Sequence, residues 1–102
     1  MAAYVIMDVK VKDAAGYEEY RRAGSPSVPQ YGGTYIVRGG RVDVLEGDSP
    51  PNRIIVIEFA TFDQAKRWYN SPEYQAALKG RLRTSDSRSA PTTLEPGHER
   101  PT

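Results

Sequence analysis

The 102-residue chain contains no cysteine. That excludes disulfides, thiolate metal sites and a thiol nucleophile together. Its one histidine, His98, stands in the last few residues, so a Ser-His-Asp triad or an imidazole metal centre lacks raw material. Charge of one sign is not in excess. Lys and Arg number 14 against 13 Asp and Glu, for a net charge of +1, too balanced for a nucleic-acid backbone or an anionic membrane as the main partner. Neither a long apolar run nor a basic-then-apolar N-terminal signal is present, and a soluble cytoplasmic protein is the expectation. The glycine pairs are not followed by the Lys-Ser/Thr of a phosphate loop. They read as turns, and no cofactor is implied.

What is present points to one small α+β domain. A chain this short buries a modest share of its surface and gains from a second subunit. "AYVIMDVKVK" alternates as a strand, with Val5, Met7, Val9 and Val11 on one face and Tyr4, Ile6, Asp8 and Lys10 on the other. "DAAGYEEYRRAG" reads as a helix capped by Asp13, with Tyr17 and Tyr20 on its inner side. Ser25 and Pro26 look like the cap and first residue of a further helical turn. Gly32-Gly33 ends that turn, and "TYIVRGGRVDVLE" reads as one long strand kinked by a bulge at Gly39-Gly40. A tight hairpin centred on the same two glycines is the alternative. "GDSPPN" is a turn, and "RIIVIEF" is a strand. Thr61 with Gln64 forms a capping-box pattern opening a helix through Asn70, and Ser71-Pro72 opens another. After Thr84 the composition turns to Ser, Thr, Pro and Arg. Residues 1–88 are read as the domain, and 89–102 as a weak edge strand, "TTLE", and a mobile C-terminal tail.

This order of elements predicts a ferredoxin-like βαββαβ protomer, with an antiparallel sheet in order 4-1-3-2 and helices on one face. Setting Glu46 opposite Arg53 puts Val42, Val44, Ile55, Ile57 and Phe59 on the helix side with Val5, Met7 and Val9. The other face then collects Tyr4, Ile6, Asp8, Arg41, Asp43, Leu45, Ile54, Val56 and Glu58. Such a face is too apolar to leave bare and too charged for ordinary core. An isologous homodimer would cover it and enclose a polar cavity.

At "DVKV", "YGGTYIVRGG", "VLEGD", "VIEF" and "WYNSPEYQ" the chain resembles the domain of unknown function 1330 family, of the dimeric α+β barrel superfamily, over about residues 3–88. The resemblance implies a ferredoxin-like protomer and a homodimer, and brings no established activity. The superfamily includes isomerases and cofactor-free monooxygenases. One departure stands out. Where such proteins usually end in an apolar strand, this chain has "SAPTTLEPG", so a short, frayed or differently paired fourth strand is expected.

Asp8 and Glu58, from strands expected to be adjacent, are the candidate catalytic pair. Close carboxylates push one pKa upward and create an acid or base. Arg38 and Arg41 are candidates to hold a substrate carboxylate. A bulge at Gly39-Gly40 would re-aim Arg38; the alternative is that the two glycines merely bend an edge strand so that two sheets can close. A structural salt-bridge network is the alternative for all four. Tyr20, Trp68 and Tyr74 could present polar atoms to a ligand; their spacing equally suits core packing. The ligand would be a small organic acid or an apolar metabolite. Two readings of function stand side by side: a cofactor-independent acid–base enzyme, and a dimer that binds a metabolite or serves as an interaction module.

Overall fold

The computed structural model describes residues 2–47 and 51–94. Eight elements follow in order: β1 (Ala3–Val11), α1 (Ala14–Gly24), α2 (Ser27–Gln30), β2 (Thr34–Arg38), β3 (Arg53–Phe59), α3 (Phe62–Tyr69), α4 (Pro72–Thr84) and β4 (Ser85–Leu94). The strands form one antiparallel sheet in the order β2-β3-β1-β4. This is the expected ferredoxin-like arrangement, with β1 and β3 at the centre.

Alternation along β1 and β3 decides which face meets the helices. Val5, Met7 and Val9 are buried with Ile55, Ile57 and Phe59, and Tyr17, Tyr20, Trp68 and Tyr74 close over them from the helix layer. Burial of each large apolar side chain contributes about 1.5–3 kcal/mol. Tyr4, Ile6, Ile54, Val56 and Glu58 occupy the other face and are only half-buried. The helix starts follow their caps. Asp13 accepts from the Gly16 amide, Thr61 from that of Gln64 and Ser71 from that of Tyr74, each relieving an orphan donor of a first turn. The Gln64 side chain does not complete the capping box. It donates instead to the Tyr31 carbonyl at 2.6 Å, tying α3 to the turn before β2.

The second strand departs from expectation. It stops at Arg38, residues 41–47 form no strand, and the Glu46–Arg53 pairing is not made. Val42 and Val44 are therefore exposed, at 42% and 39%, rather than packed under the helices, and Arg41, Asp43 and Leu45 do not join the open face. The physical reason lies at Gly39. Its amide makes a last rung to the Ile54 carbonyl at 2.8 Å, and its φ of +72° then turns the chain out of the ladder. Neither the kinked long strand nor the hairpin forms there. A bulge does exist, three to four residues earlier: Tyr35 faces Ile57 and Val37 faces Val56, so Ile36 is the extra residue.

The fourth strand is longer than "TTLE". It runs antiparallel to β1 from Ser85, with register shifts between Ile6 and Asp8 and between Asp8 and Val9. Pro91 falls within the first shift, between the Ile6–Thr92 and Asp8–Ser89 pairs. An edge strand at a bulge is where a residue without an N–H is tolerated. The mobile tail expected at the C-terminus, with His98, lies outside the described residues.

Candidate functional site

The bulge at Ile36 has a consequence for side-chain direction. In a regular strand, residues three apart point to opposite faces. With one extra residue between them, Tyr35 and Arg38 both point to the helix side, opposite Ile57 and Ile55. The Arg38 guanidinium lies 4.2 Å from the centre of the Tyr35 ring, a cation–π distance. Its Nη2 donates to the Ser25 Oγ at 2.7 Å. Ser25 thus spends its hydroxyl on Arg38 instead of capping α2, whose N-cap is Pro26, with no side-chain cap bond.

These residues wall a narrow crevice between α1 and the β2–β3 edge. Tyr17, Tyr20, Ser25, Tyr35, Arg38 and Arg53 line it, over a floor of Met7 and Ile55. The space open to the centre of a water molecule is about 10 Å³, close to the minimum for one bound water. Arg53 heads β3 in phase with Ile55, so its stem enters the helix side. Its Nε is buried with no hydrogen-bond partner, while Nη2 approaches the Arg38 carbonyl at 3.5 Å. A Cβ on Gly39 would run into this guanidinium, so glycine at 39 both makes the turn and leaves room for Arg53.

The crevice is electrostatically one-sided. Among the described residues, no carboxylate or histidine lines it, and neither Arg38 nor Arg53 has an ion-pair partner. Burial raises the Tyr17 phenol above its ordinary pKa, with Arg53 opposing the rise. Burial raises Tyr20 further, reinforced by Tyr74. At neutral pH these phenols keep their protons and offer hydrogen bonds rather than act as bases.

The residues singled out from sequence fall into three groups. Arg38 and Tyr20 meet at the crevice. Trp68 and Tyr74 are buried in the core at 1% exposure each. Trp68 Nε1 donates to Ser27 Oγ at 2.9 Å. The Tyr74 hydroxyl shares a 2.9 Å bond with that of Tyr20 and accepts from Arg81 Nε at 3.3 Å.

Asp8, Glu58 and Arg41 lie elsewhere. Tyr4 pairs with Glu58 and Asp8 with Ile54, so the two acids stand four rungs apart, about 13 Å at strand rise. They share the sheet's open face but not a close contact. Asp8 accepts from the Asn52 amide at 2.9 Å, and Glu58 from the Tyr4 hydroxyl at 3.3 Å. Arg41 is exposed in the coil after β2. Arg53 is the residue that sequence reading overlooked. The signal was there: in "RIIVIEF" it keeps step with Ile55, Ile57 and Phe59, a cation in the buried phase of a strand.

The family model described as Domain of unknown function (DUF1330) matches residues 2–90. The chain belongs to this family. No curated protein matches it in sequence. Among solved structures, this family member resembles the RPA0582 protein of unknown function from Rhodopseudomonas palustris, with a TM-score of 0.73 and 20% identity over 96% of this chain and 84% of that one. SnoaB, a cofactor-independent oxygenase from Streptomyces nogalater, aligns with a TM-score of 0.60 and 13% identity, covering 99% and 97%. A dimeric protein of unknown function and ferredoxin-like fold from Bacteroides fragilis aligns at 0.52 and 14%, covering 92% and 94%. At these identities the likeness is one of fold, and function rests on the site. Among the described residues, no helix is long and apolar enough to cross a membrane.

Proposed function

We propose that this protein is a cytoplasmic homodimer that binds a small organic acid in the crevice between α1 and the β2–β3 edge. One observation carries the reading: Arg38 and Arg53 converge on a crevice lined, among the described residues, by no acid, with one buried guanidinium nitrogen unpartnered. Holding a guanidinium nitrogen away from water without a hydrogen-bond partner is costly, and a bound carboxylate offsets that cost. The binding place is thus on the helix side of the sheet, and not in a cavity between two open faces.

The dimer is supported by the open face. Ile6, Ile54 and Val56 are half-buried there and Val37 is 39% exposed, forming an apolar strip that a two-fold partner covers. The dimeric Bacteroides fragilis relative in fold agrees with this. Turnover as a cofactor-independent isomerase or monooxygenase is the second reading, favoured by the fold shared with SnoaB. It needs a base at the crevice, whereas Asp8 and Glu58 lie on the opposite face of the sheet.

Thermal unfolding with a panel of small carboxylic acids tests the binding. A saturable rise in Tm that Arg38→Gln and Arg53→Gln both abolish is expected; no rise with any acid contradicts it. Sedimentation of the wild type and of Val56→Lys tests the assembly. Dimer becoming monomer is expected, and a wild type that sediments as single chains at working concentration contradicts it.

A further inference from the structure

The crevice continues outward. Arg21, Ser25 and Arg38 line both the inner niche and an adjoining outer cleft, to which Glu18, Arg22 and Pro26 also contribute. Where the niche offers about 10 Å³ to the centre of a water molecule, the outer cleft offers about 200 Å³. The niche therefore admits one oxygen of a head group, and the rest of a ligand must lie outside, along the C-terminal end of α1.

Charge along this path is uneven. Glu18 accepts from Arg21 at 2.7 Å and neutralises it. Arg22 is exposed and has no carboxylate partner among the described residues. Arg38 stands at the join, with its guanidinium held between the Tyr35 ring and Ser25 Oγ. The inner niche thus has Arg53 with Arg38, the outer cleft has Arg22 with Arg38, and the one acid on the path among the described residues is already spent. A ligand with one negative group would satisfy the inner station and leave the outer one to water.

We propose that the ligand is a dianion, a small acid with two separated carboxylates, one seated in the niche on Arg53 and the other in the outer cleft on Arg22. This rests on the crevice being the binding site. Arg53 Nε is the unpartnered donor at the niche, and a charge-assisted hydrogen bond to one carboxylate oxygen would satisfy it. The outer contact is more solvated and weaker, so it selects among acids rather than anchoring them.

Calorimetric titration of propionate, malonate, succinate and glutarate at matched ionic strength tests this. At least one dicarboxylate is expected to bind about three- to tenfold more tightly than propionate. Arg22→Gln should erase that advantage without changing propionate affinity, and Arg22→Lys should restore most of it. Arg53→Gln should weaken mono- and dicarboxylates alike. If every dicarboxylate binds no better than propionate, or if the preference survives Arg22→Gln, the dianion proposal is overturned while the crevice stands. If no acid binds, or Arg53→Gln leaves all affinities intact, the crevice itself is not the site and the dianion proposal goes with it.

Discussion

Arg38 lies 4.2 Å from the centre of the Tyr35 ring, on the same side of the sheet, although the two are three residues apart in one strand. Only an extra residue between them allows this, and that residue is Ile36, which is 52% exposed. The irregularity is what brings a cation to the mouth of the crevice instead of to the open face. Sequence reading attributed the same re-aiming to Gly39-Gly40. The effect was right in kind and misplaced by a few residues, because nothing in "TYIVR" marks one residue as unpaired.

Inserting one residue between Val37 and Arg38 should place the newcomer opposite Ile55 on the helix side and turn Arg38 to the open face. We expect carboxylate affinity to fall at least about tenfold, equivalent to roughly 1.4 kcal/mol, with circular dichroism close to wild type because β2 is an edge strand. Titration calorimetry checks it; undiminished affinity in a folded insertion variant counts against the need for Arg38 on the helix side.

The two glycines after β2 should differ sharply. Gly39→Ala places a side chain at a positive φ and against the Arg53 guanidinium, whereas a Cβ on Gly40 meets nothing within 4 Å. Gly39→Ala is expected to cost about 1–2 kcal/mol of stability and to weaken acid binding by displacing Arg53. Gly40→Ala should change both by little. Urea unfolding of the two variants side by side makes the comparison, and equal effects would refute the distinction.

Much of the frame was legible. The faces of β1 and β3 follow from strict alternation of large apolar residues, and three helix starts follow from Asp13, Thr61 and Ser71 because N-cap chemistry is local. What escaped is non-local. The extent of β2 depends on whether Gly39 leaves the ladder, and Val42 and Val44 alternate as well as any strand residue while pairing with nothing. Asp8 and Glu58 were rightly put on one face, but their separation depends on register, which the mis-set Glu46–Arg53 pairing could not supply. Ser25 looked like a cap until Arg38 was found holding its hydroxyl.

Ser27 links two helices inside the core, accepting from Trp68 Nε1 and donating to the Gly24 carbonyl. Ser27→Ala strands a buried indole N–H, and a loss of about 1–3 kcal/mol is expected. Trp68 is the single tryptophan, so its fluorescence in denaturant reports the change. A variant as stable as wild type would mean that another acceptor serves the indole.

Alkaline pH should unfold the protein through its buried phenols. Tyr17, Tyr20 and Tyr74 all have pKa values raised above 10.0, in each case chiefly by burial. The native state therefore holds these protons more tightly than the unfolded chain. Stability from this source is complete below about pH 10 and declines as pH rises through the raised values. Tyrosinate absorbance and Trp68 fluorescence followed together should show the last phenols ionising in step with unfolding. Ionisation of all seven tyrosines with fluorescence unchanged would contradict it.

The most direct measurement is on the Nε–Hε resonance of Arg53, followed by NMR during titration with succinate. Binding in the crevice predicts a saturable shift at that unpartnered nitrogen, with a parallel shift at Arg38 and none at Arg83 on the far end of α4. A resonance from Arg53 that stays fixed while succinate reaches saturating concentration would contradict the assignment of the crevice as the binding site.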